Sequence, residues 1–219
     1  MTADAAALAQ RLRAVPASVA SDVLDALGLR EQLLPHGLGP LEPGQTVCGP
    51  VYPVLGRTDP TTDVTSGLRR YLEAIGGVPE GHVFVLAAGD QTAAHFGELT
   101  ATWLRSRGCP GVVVDGGTRD IPLLRAMGFP VFCRYHSTRS IAGRWAPVSL
   151  GEPVEIGGVR IAQGDFVVGD DDGVVVVPAG VAEEVTARGE AVVGAENHVR
   201  DAVGRGVLPI DAYDQWGSF

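Results

Sequence analysis

GELTATWLRSRGCPGVVVDGGTRD, residues 97–120, is the stretch whose reading decides the fold. A helical pattern over Phe96–Arg107 breaks at Gly108-Cys109-Pro110 and gives way to an apolar run, Gly111–Val114, read as a buried strand. A second helical pattern begins at Thr118 and ends at Met127, and a strand follows over Val131–Arg134. Helix, strand, helix and strand at these spacings are what parallel crossover units require.

Upstream, HVFVLAAGD reads as a buried strand between Gly81 and Gly89, and SGLRRYLEAIGG as a helix. VCGPVYPVLG reads as one or two strands, reached through the Pro/Gly-rich connection PHGLGPLEPGQ. Two helices open the chain, over residues 3–14 and Ser18–Leu27, the second with Ser18 as its cap and Gly28 as its stop. Downstream of Glu152 the texture changes: PVEIGGVRIAQGDFVVGDDDGVVVVP holds three short β runs separated by GG, GD and DG turns, which predicts antiparallel hairpins. A long helix over Val181–Val203 and the tail LPIDAYDQWGSF finish the chain. The expected organisation is one α/β domain: N-terminal helices at 3–28, a core at 46–178, then the C-terminal helix 181–203 and the tail.

Composition narrows the chemistry. All 17 basic residues among the 219 are arginine. Without lysine there is no Walker-type phosphate loop, no pyridoxal phosphate anchor and no Schiff-base aldolase or decarboxylase. Glycine is abundant, 30 residues, about twice the usual ~7%, so tight turns are expected. A net charge of −9 argues against a generic nucleic-acid or anionic-membrane surface. No apolar run approaches the roughly 20 residues of a membrane span, and the start has no signal-peptide core. Cys48, Cys109 and Cys133 are scattered without a CxxC pair, which fits a reduced, cytoplasmic setting.

Within 97–120, Glu98 starts a helix directly after a glycine, and Arg119 and Asp120 lie in the turn after a buried strand. In open α/β sheets, ligands bind where strand carboxyl ends meet helix amino ends. The N–H groups of Leu99 and Thr100 favour an anion such as a carboxylate. Arg119 can clamp the same anion, and Asp120 is a hard oxygen ligand of the kind Mg²⁺ accepts. Acidic residues in a first helical turn also answer the helix dipole, and an Arg–Asp dipeptide can simply pair with neighbours. Local physics leaves both readings open.

The Glu98-x20-Arg119-Asp120 spacing inside GVVVDGGTRD resembles the signature of the RraA-like superfamily. That group includes class II 4-hydroxy-4-methyl-2-oxoglutarate/4-carboxy-4-hydroxy-2-oxoadipate aldolases and regulators of ribonuclease E. SVASDVLDALG, GFPVFCR and QGDFVVGDDDGVVVVP are similar to further family segments, so the resemblance spans about residues 15–200. It implies a three-layer β/β/α swivelling-type fold, a homotrimer or homohexamer, and a site in a subunit cleft. It also implies roles: Asp120 as ligand to Mg²⁺ or Mn²⁺, Arg119 on the C2 oxygen of a 2-oxo acid, and the Leu99 and Thr100 amides on its carboxylate. Glu98 would position a water that protonates the pyruvate enolate, shared with a glutamate of a neighbouring subunit's C-terminal helix, matched here by Glu196.

The implied activity is cleavage of a 4-hydroxy-2-oxo acid to release pyruvate, with oxaloacetate decarboxylation as a side activity. With no lysine for a Schiff base, the electron sink would be a metal acting as Lewis acid. Glutamate stands at 98 where the pattern more often has aspartate, and CRYHSTRS stands where relatives have a glycine near residue 135. Tyr135, His136, Arg139 and Arg144 are thus expected to enlarge, charge or close the substrate pocket. Two alternatives are a non-catalytic regulator binding a ribonuclease-type partner and a biosynthetic enzyme using the same metal–enolate chemistry.

Other signals point to structure. The five histidines lack tight metal spacing, although His95 and His136 lie near the proposed site in sequence. Asp170-Asp171-Asp172-Gly173 lacks the alternating ligands of a calcium loop and reads as a hairpin turn. No GxGxxG follows a strand, the cysteines sit in apolar runs or a turn, and Trp103, Trp145 and Trp216 read as packing or interface residues.

Overall fold

The structure, a computed structural model, describes residues 3–217. Helices α1 (Ala3–Leu12) and α2 (Ala17–Ala26) come first. Ser18 does not cap α2: Pro16 holds that position, and the Ala17 N–H donates instead to Asp170 Oδ2 at 2.9 Å. A tertiary acceptor thus replaces the local one. Gly28 stops the helix as expected, at φ +82, with the Leu29 N–H returning to the Leu24 carbonyl.

After the short strand β1 (Gly39–Pro40), VCGPVYPVLG forms one long strand, β2 (Val47–Thr58), not two. It stays buried through most of its length because it is shared. It runs parallel to β3 (Val83–Ala87) and antiparallel to both β7 (Trp145–Leu150) and β10 (Phe166–Asp170). Between β2 and β3 lies α3 (Val64–Gly76), capped by the Asp63 carboxylate, which accepts the Ser66 N–H at 3.0 Å. The crossover run follows: β4 (Ala94–Phe96), α4 (Glu98–Ser106), β5 (Val112–Thr118), α5 (Ile121–Met127) and β6 (Val131–His136). Strands β3, β5 and β6 are parallel neighbours, as expected.

Strand β5 continues past its expected end at Val114, through Gly116-Gly117 to Thr118. A Cβ at Gly116 would lie 2.6 Å from His95 Nδ1, and one at Gly117 would lie 2.5 Å from the Tyr135 ring. The glycine pair lets β4 and β6 press against β5.

The antiparallel hairpins form, from four strands rather than three: β8 (Val154–Ile156) with β9 (Val159–Ile161) at the GG turn, and β10 with β11 (Gly173–Val177) at the DG turn, while the GD step only links them. The Asp170–Asp172 run makes the second hairpin's turn. Two of its carboxylates are occupied internally, Asp170 on the Asp172 and Ala17 N–H groups and Asp171 on the Gly44 N–H.

The main sheet has the order β1-β6-β5-β3-β2-β10-β11, with β4 added to β5 and β7 to β2, and a bridge from Leu33 reaches β11. It curls on itself, so that Val51, Val83, Val113 and Phe132 share one apolar core with Val167, Val176 and the β8–β9 hairpin's Ile156 and Ile161. Helices α3, α4 and α5 cover the parallel part through a core containing Tyr71, Leu104, Leu124 and Trp145. Helices α1, α2 and α6 (Ala182–Gly204) cover the outer side of β10 and β11. The tail forms a further short helix, α7 (Pro209–Trp216), packed on α6. No helix among the described residues is long and apolar enough to cross a membrane.

Candidate active site

Two βα turns meet because β4 pairs with β5. Phe96 registers with Thr118, and the Arg119 N–H donates to the Phe96 carbonyl at 3.0 Å. One residue past Phe96, Gly97 caps α4, and two past Thr118, Asp120 occupies the cap position of α5. The contact is close enough that a Cβ on Gly97 would stand 2.6 Å from Asp120 Oδ2. Asp120 has φ +62 and is alone among the described non-glycine residues in taking a positive φ. Such a conformation costs of order 1 kcal/mol and concentrates at functional sites. It turns the carboxylate back toward α4, where Oδ2 accepts the Glu98 N–H at 3.2 Å and lies 3.7 Å from Arg119 Nε.

The predicted anion donors are free for a reason visible in the hydrogen bonds. In a continuing helix the Leu99 and Thr100 N–H groups would face the carbonyls of His95 and Phe96. Those carbonyls are taken by the Tyr71 hydroxyl (2.7 Å) and the Arg119 N–H. Neither amide has a partner among the described residues. They open onto a cavity of about 280 Å³ whose wall also includes Arg119 and Asp120. Glu98, Leu99, Thr100, Arg119 and Asp120 are therefore brought together. Glu98 is half-buried, with Oε1 accepting the Thr102 hydroxyl at 2.7 Å.

Glu196 is not brought to this set within the chain. It lies on α6, in the layer with α1 and α2, and its nearest charged partner is Arg200, 3.8 Å away and one turn on. No group of three or more His, Cys, Asp or Glu side chains among the described residues could hold a metal. Asp120 with its uncommitted Oδ1 is the carboxylate at the site suited to a cation that keeps most of its waters.

His95 is fully buried and serves the scaffold. Nδ1 accepts the Gly117 N–H at 3.2 Å, so the ring proton sits on Nε2, directed at Asp90 Oδ2 3.1 Å away. Burial lowers its pKa, against the opposing pull of Asp90. The ring packs edge-on against Trp145, centroids 5.1 Å apart, and the Trp145 indole donates to the Ala88 carbonyl at 2.6 Å.

The residues of CRYHSTRS divide. The Tyr135 hydroxyl donates to the Ala93 carbonyl at 3.0 Å, and burial pushes its pKa up to about 12. Arg144 turns back onto its own loop, bonding the Ser140 and Ala142 carbonyls at 3.2 Å each. Arg139 contributes backbone, its carbonyl accepting the Ala94 N–H at 2.8 Å. His136 lines a wider, more open depression of about 570 Å³ that also borders Arg119 and Asp120, with Thr118, Ser137 and Thr138. None of the four charges the cavity over the Leu99 and Thr100 amides.

Sequence reasoning missed the wall formed by α3 and by residues 140–145. The spacing of Leu68, Tyr71 and Leu72 along one helix face was the available signal. Tyr71 is buried, its pKa pushed up to about 12 by burial, and its hydroxyl lies 3.1 Å from that of Thr100. The cysteines are free and buried, and burial pushes the Cys48 thiol up to about 12.

Known proteins resemble this chain in sequence and in fold. The RraA-like family, described as Aldolase/RraA, matches residues 17–176. A protein of Halalkalibacterium halodurans, provisionally named 4-hydroxy-4-methyl-2-oxoglutarate aldolase, is 33% identical over 205 residues, covering 93% of this chain and 91% of the relative. Among solved structures, an uncharacterized protein from Pseudomonas syringae pv. tomato superposes with a TM-score of 0.86 at 28% identity, over 97% of this chain and 95% of the other. Streptomyces coelicolor RraAS2, described as an unusual member of the RNase ES inhibitor RraA protein family, superposes with a TM-score of 0.78 at 30% identity, over 88% and 96%.

Proposed function

The chain belongs to the RraA-like family, and on that premise we propose that it is a divalent-metal-dependent carbon–carbon lyase releasing pyruvate from a 4-hydroxy-2-oxo acid. One observation carries the reading. A strained, solvent-facing Asp120 sits beside Arg119 at the mouth of a cavity that also presents the unpaired Leu99 and Thr100 N–H groups.

Asp120 would hold the cation, Mg²⁺ or Mn²⁺, through Oδ1, since Oδ2 is committed to the Glu98 N–H. A bound cation supplies Lewis-acid polarisation of the substrate's 2-oxo group. The Leu99 and Thr100 amides, with the positive end of α4 behind them, bind the C1 carboxylate. Arg119 stabilises the negative charge that grows on the C2 oxygen as the C3–C4 bond breaks and the C4 hydroxyl passes its proton to a solvent water. The C4 carbonyl fragment departs, and C3 takes a proton from a water positioned by Glu98, giving pyruvate. Thr102 holds one Glu98 oxygen and leaves the other for that water. Glu196 would reach the water from a neighbouring copy in a trimer or hexamer. Loss of CO₂ from oxaloacetate leaves the same enolate, so decarboxylation is a side activity.

Pyruvate release from 4-hydroxy-2-oxo acids, with Mg²⁺, with EDTA and in Asp120→Ala, tests the proposal. Turnover that survives both chelation and the substitution would overturn it. The resemblance to RraAS2 favours a second reading, a non-catalytic regulator of a ribonuclease. Ribonuclease inhibition that persists in Asp120→Ala, with no lyase turnover in the wild type, would select it.

A further inference from the structure

Tyr71 touches none of the reacting atoms, yet its hydroxyl sits where the anion-binding end of α4 is held in shape. We propose that Tyr71 is a positioning residue whose hydroxyl keeps the Leu99 and Thr100 amides open for a carboxylate. The identity of that carboxylate as a 2-oxo acid's rests on the lyase reading. The ring belongs to α3, is buried, and packs edge-on against Trp145 with centroids 6.2 Å apart. Its hydroxyl reaches between the end of β4 and the first turn of α4. It donates to the His95 carbonyl at 2.7 Å. With its one proton spent there, the phenol oxygen accepts from the Thr100 hydroxyl, 3.1 Å away. Burial pushes the Tyr71 pKa up to about 12, so the donor stays protonated at neutral pH.

A helix start offers its amides to a ligand only while nothing inside the chain claims them. Two internal claimants stand in line here. The His95 carbonyl is four residues before Leu99 and the Phe96 carbonyl four before Thr100, the spacing of the α-helical bond. The Arg119 N–H holds the second at 3.0 Å, and Tyr71 holds the first. A side-chain cap is the usual third claimant. Gly97 occupies the cap position and has no side chain to supply one. The His95 ring is fixed as well, with Nδ1 accepting the Gly117 N–H at 3.2 Å. One residue is thus tied to α3 through its carbonyl and to β5 through its ring. Tyr71 thereby sets the amides of α4 against the turn that carries Arg119 and Asp120. Every bond in this set lies within one chain.

The test is Tyr71→Phe in the full chain, which keeps the ring and removes the hydroxyl. Without its donor, the His95 carbonyl is expected to draw in the Leu99 N–H. Hydrogen exchange at that amide, followed by NMR without metal or ligand, should then slow at least tenfold. Simple loosening of the turn would speed it instead, which separates positioning from a merely structural role. With Mg²⁺ present, calorimetry should show pyruvate binding weakened at least tenfold. KM for oxaloacetate decarboxylation should rise by the same factor with kcat within threefold, as loss of a uniform carboxylate contact requires. Trp103→Phe cuts a different bond from α4 to α3, indole to the Ile75 carbonyl at 3.1 Å, and should leave all three readouts within threefold. Tyr71→Met repeats the test should Tyr71→Phe fail to fold. A Leu99 amide already protected in the ligand-free wild type overturns the inference without any variant. So does exchange at Leu99 that is unchanged or faster in Tyr71→Phe, or pyruvate affinity within threefold of wild type. Slowed exchange in a protein whose wild type neither binds pyruvate nor turns over a 2-oxo acid overturns the lyase reading alone.

Discussion

Adding one methyl group at Gly97 separates the chemistry from the fold. In Gly97→Ala the new Cβ would sit 2.6 Å from Asp120 Oδ2 and 3.3 Å from Arg119 Cγ, where ordinary contact begins at 3.4 Å. The backbone at Gly97 is extended, φ −164, which alanine adopts without strain, so the whole effect is steric. The carboxylate must retreat by roughly 0.8 Å, and the Glu98 N–H bond, already 3.2 Å, is lost. A displacement of about 1 Å at a reacting centre can cost on the order of 10²-fold in rate. Both side chains are partly solvated, so stability should change by less than about 1 kcal/mol. The assay is kcat/KM for oxaloacetate decarboxylation and for pyruvate release, with Tm by calorimetry. Gly180→Ala serves as control, since no atom lies within 4 Å of its added Cβ. A Gly97→Ala protein that keeps its Tm and more than a third of wild-type kcat/KM would refute the reasoning.

Asp120→Gly should abolish turnover by 10²-fold or more, with Tm unchanged or raised, because glycine relieves a positive-φ strain of about 1 kcal/mol; calorimetry beside the decarboxylation assay checks both. Trp145→Phe should cost about 2–4 kcal/mol in urea unfolding, since it orphans the Ala88 carbonyl and empties space beside Gly56. His95 has a folded pKa below its unfolded value of 6.5. As pH falls below that value the unfolded chain takes up a proton that the folded one refuses, and stability drops. Tm should therefore decline between pH 7 and 5, with a shallower slope in His95→Gln. That comparison is made in a His82→Gln background, because burial lowers the His82 pKa as well.

Residues 97–120 were legible because the elements they encode are local. An apolar run bounded by Gly and Pro, between two helical patterns, has few ways to fold, and the chemistry-bearing residues fall at its turns. The family resemblance then supplied roles that local physics left open. What was hidden depended on partners distant in sequence. Ser18 reads as a cap, yet Asp170 reaches the same helix end from 153 positions away. The apolar run stops at Val114, yet the strand goes on through Gly116-Gly117, whose missing side chains admit His95 and Tyr135. Arg139 and Arg144 read as charges for a pocket. In the fold, Arg144 returns to its own loop carbonyls, and the pocket wall comes from a helix more than twenty residues upstream. Strand β4, three residues long, is too short to leave a periodic trace, although it aligns the two turns of the candidate site.

The loop from Ser137 to Arg144 is pinned to β4 at both Arg139 and Ser140. It lends Ser140, Ile141 and Ala142 to the cavity and contributes none of the groups assigned to bond breaking. Together with one face of α3, it forms a wall that is structurally separate from the turns carrying Glu98, Arg119 and Asp120. The same division invites laboratory diversification: randomising residues 137–144 and positions 68 and 72 leaves Glu98, Arg119 and Asp120 in place.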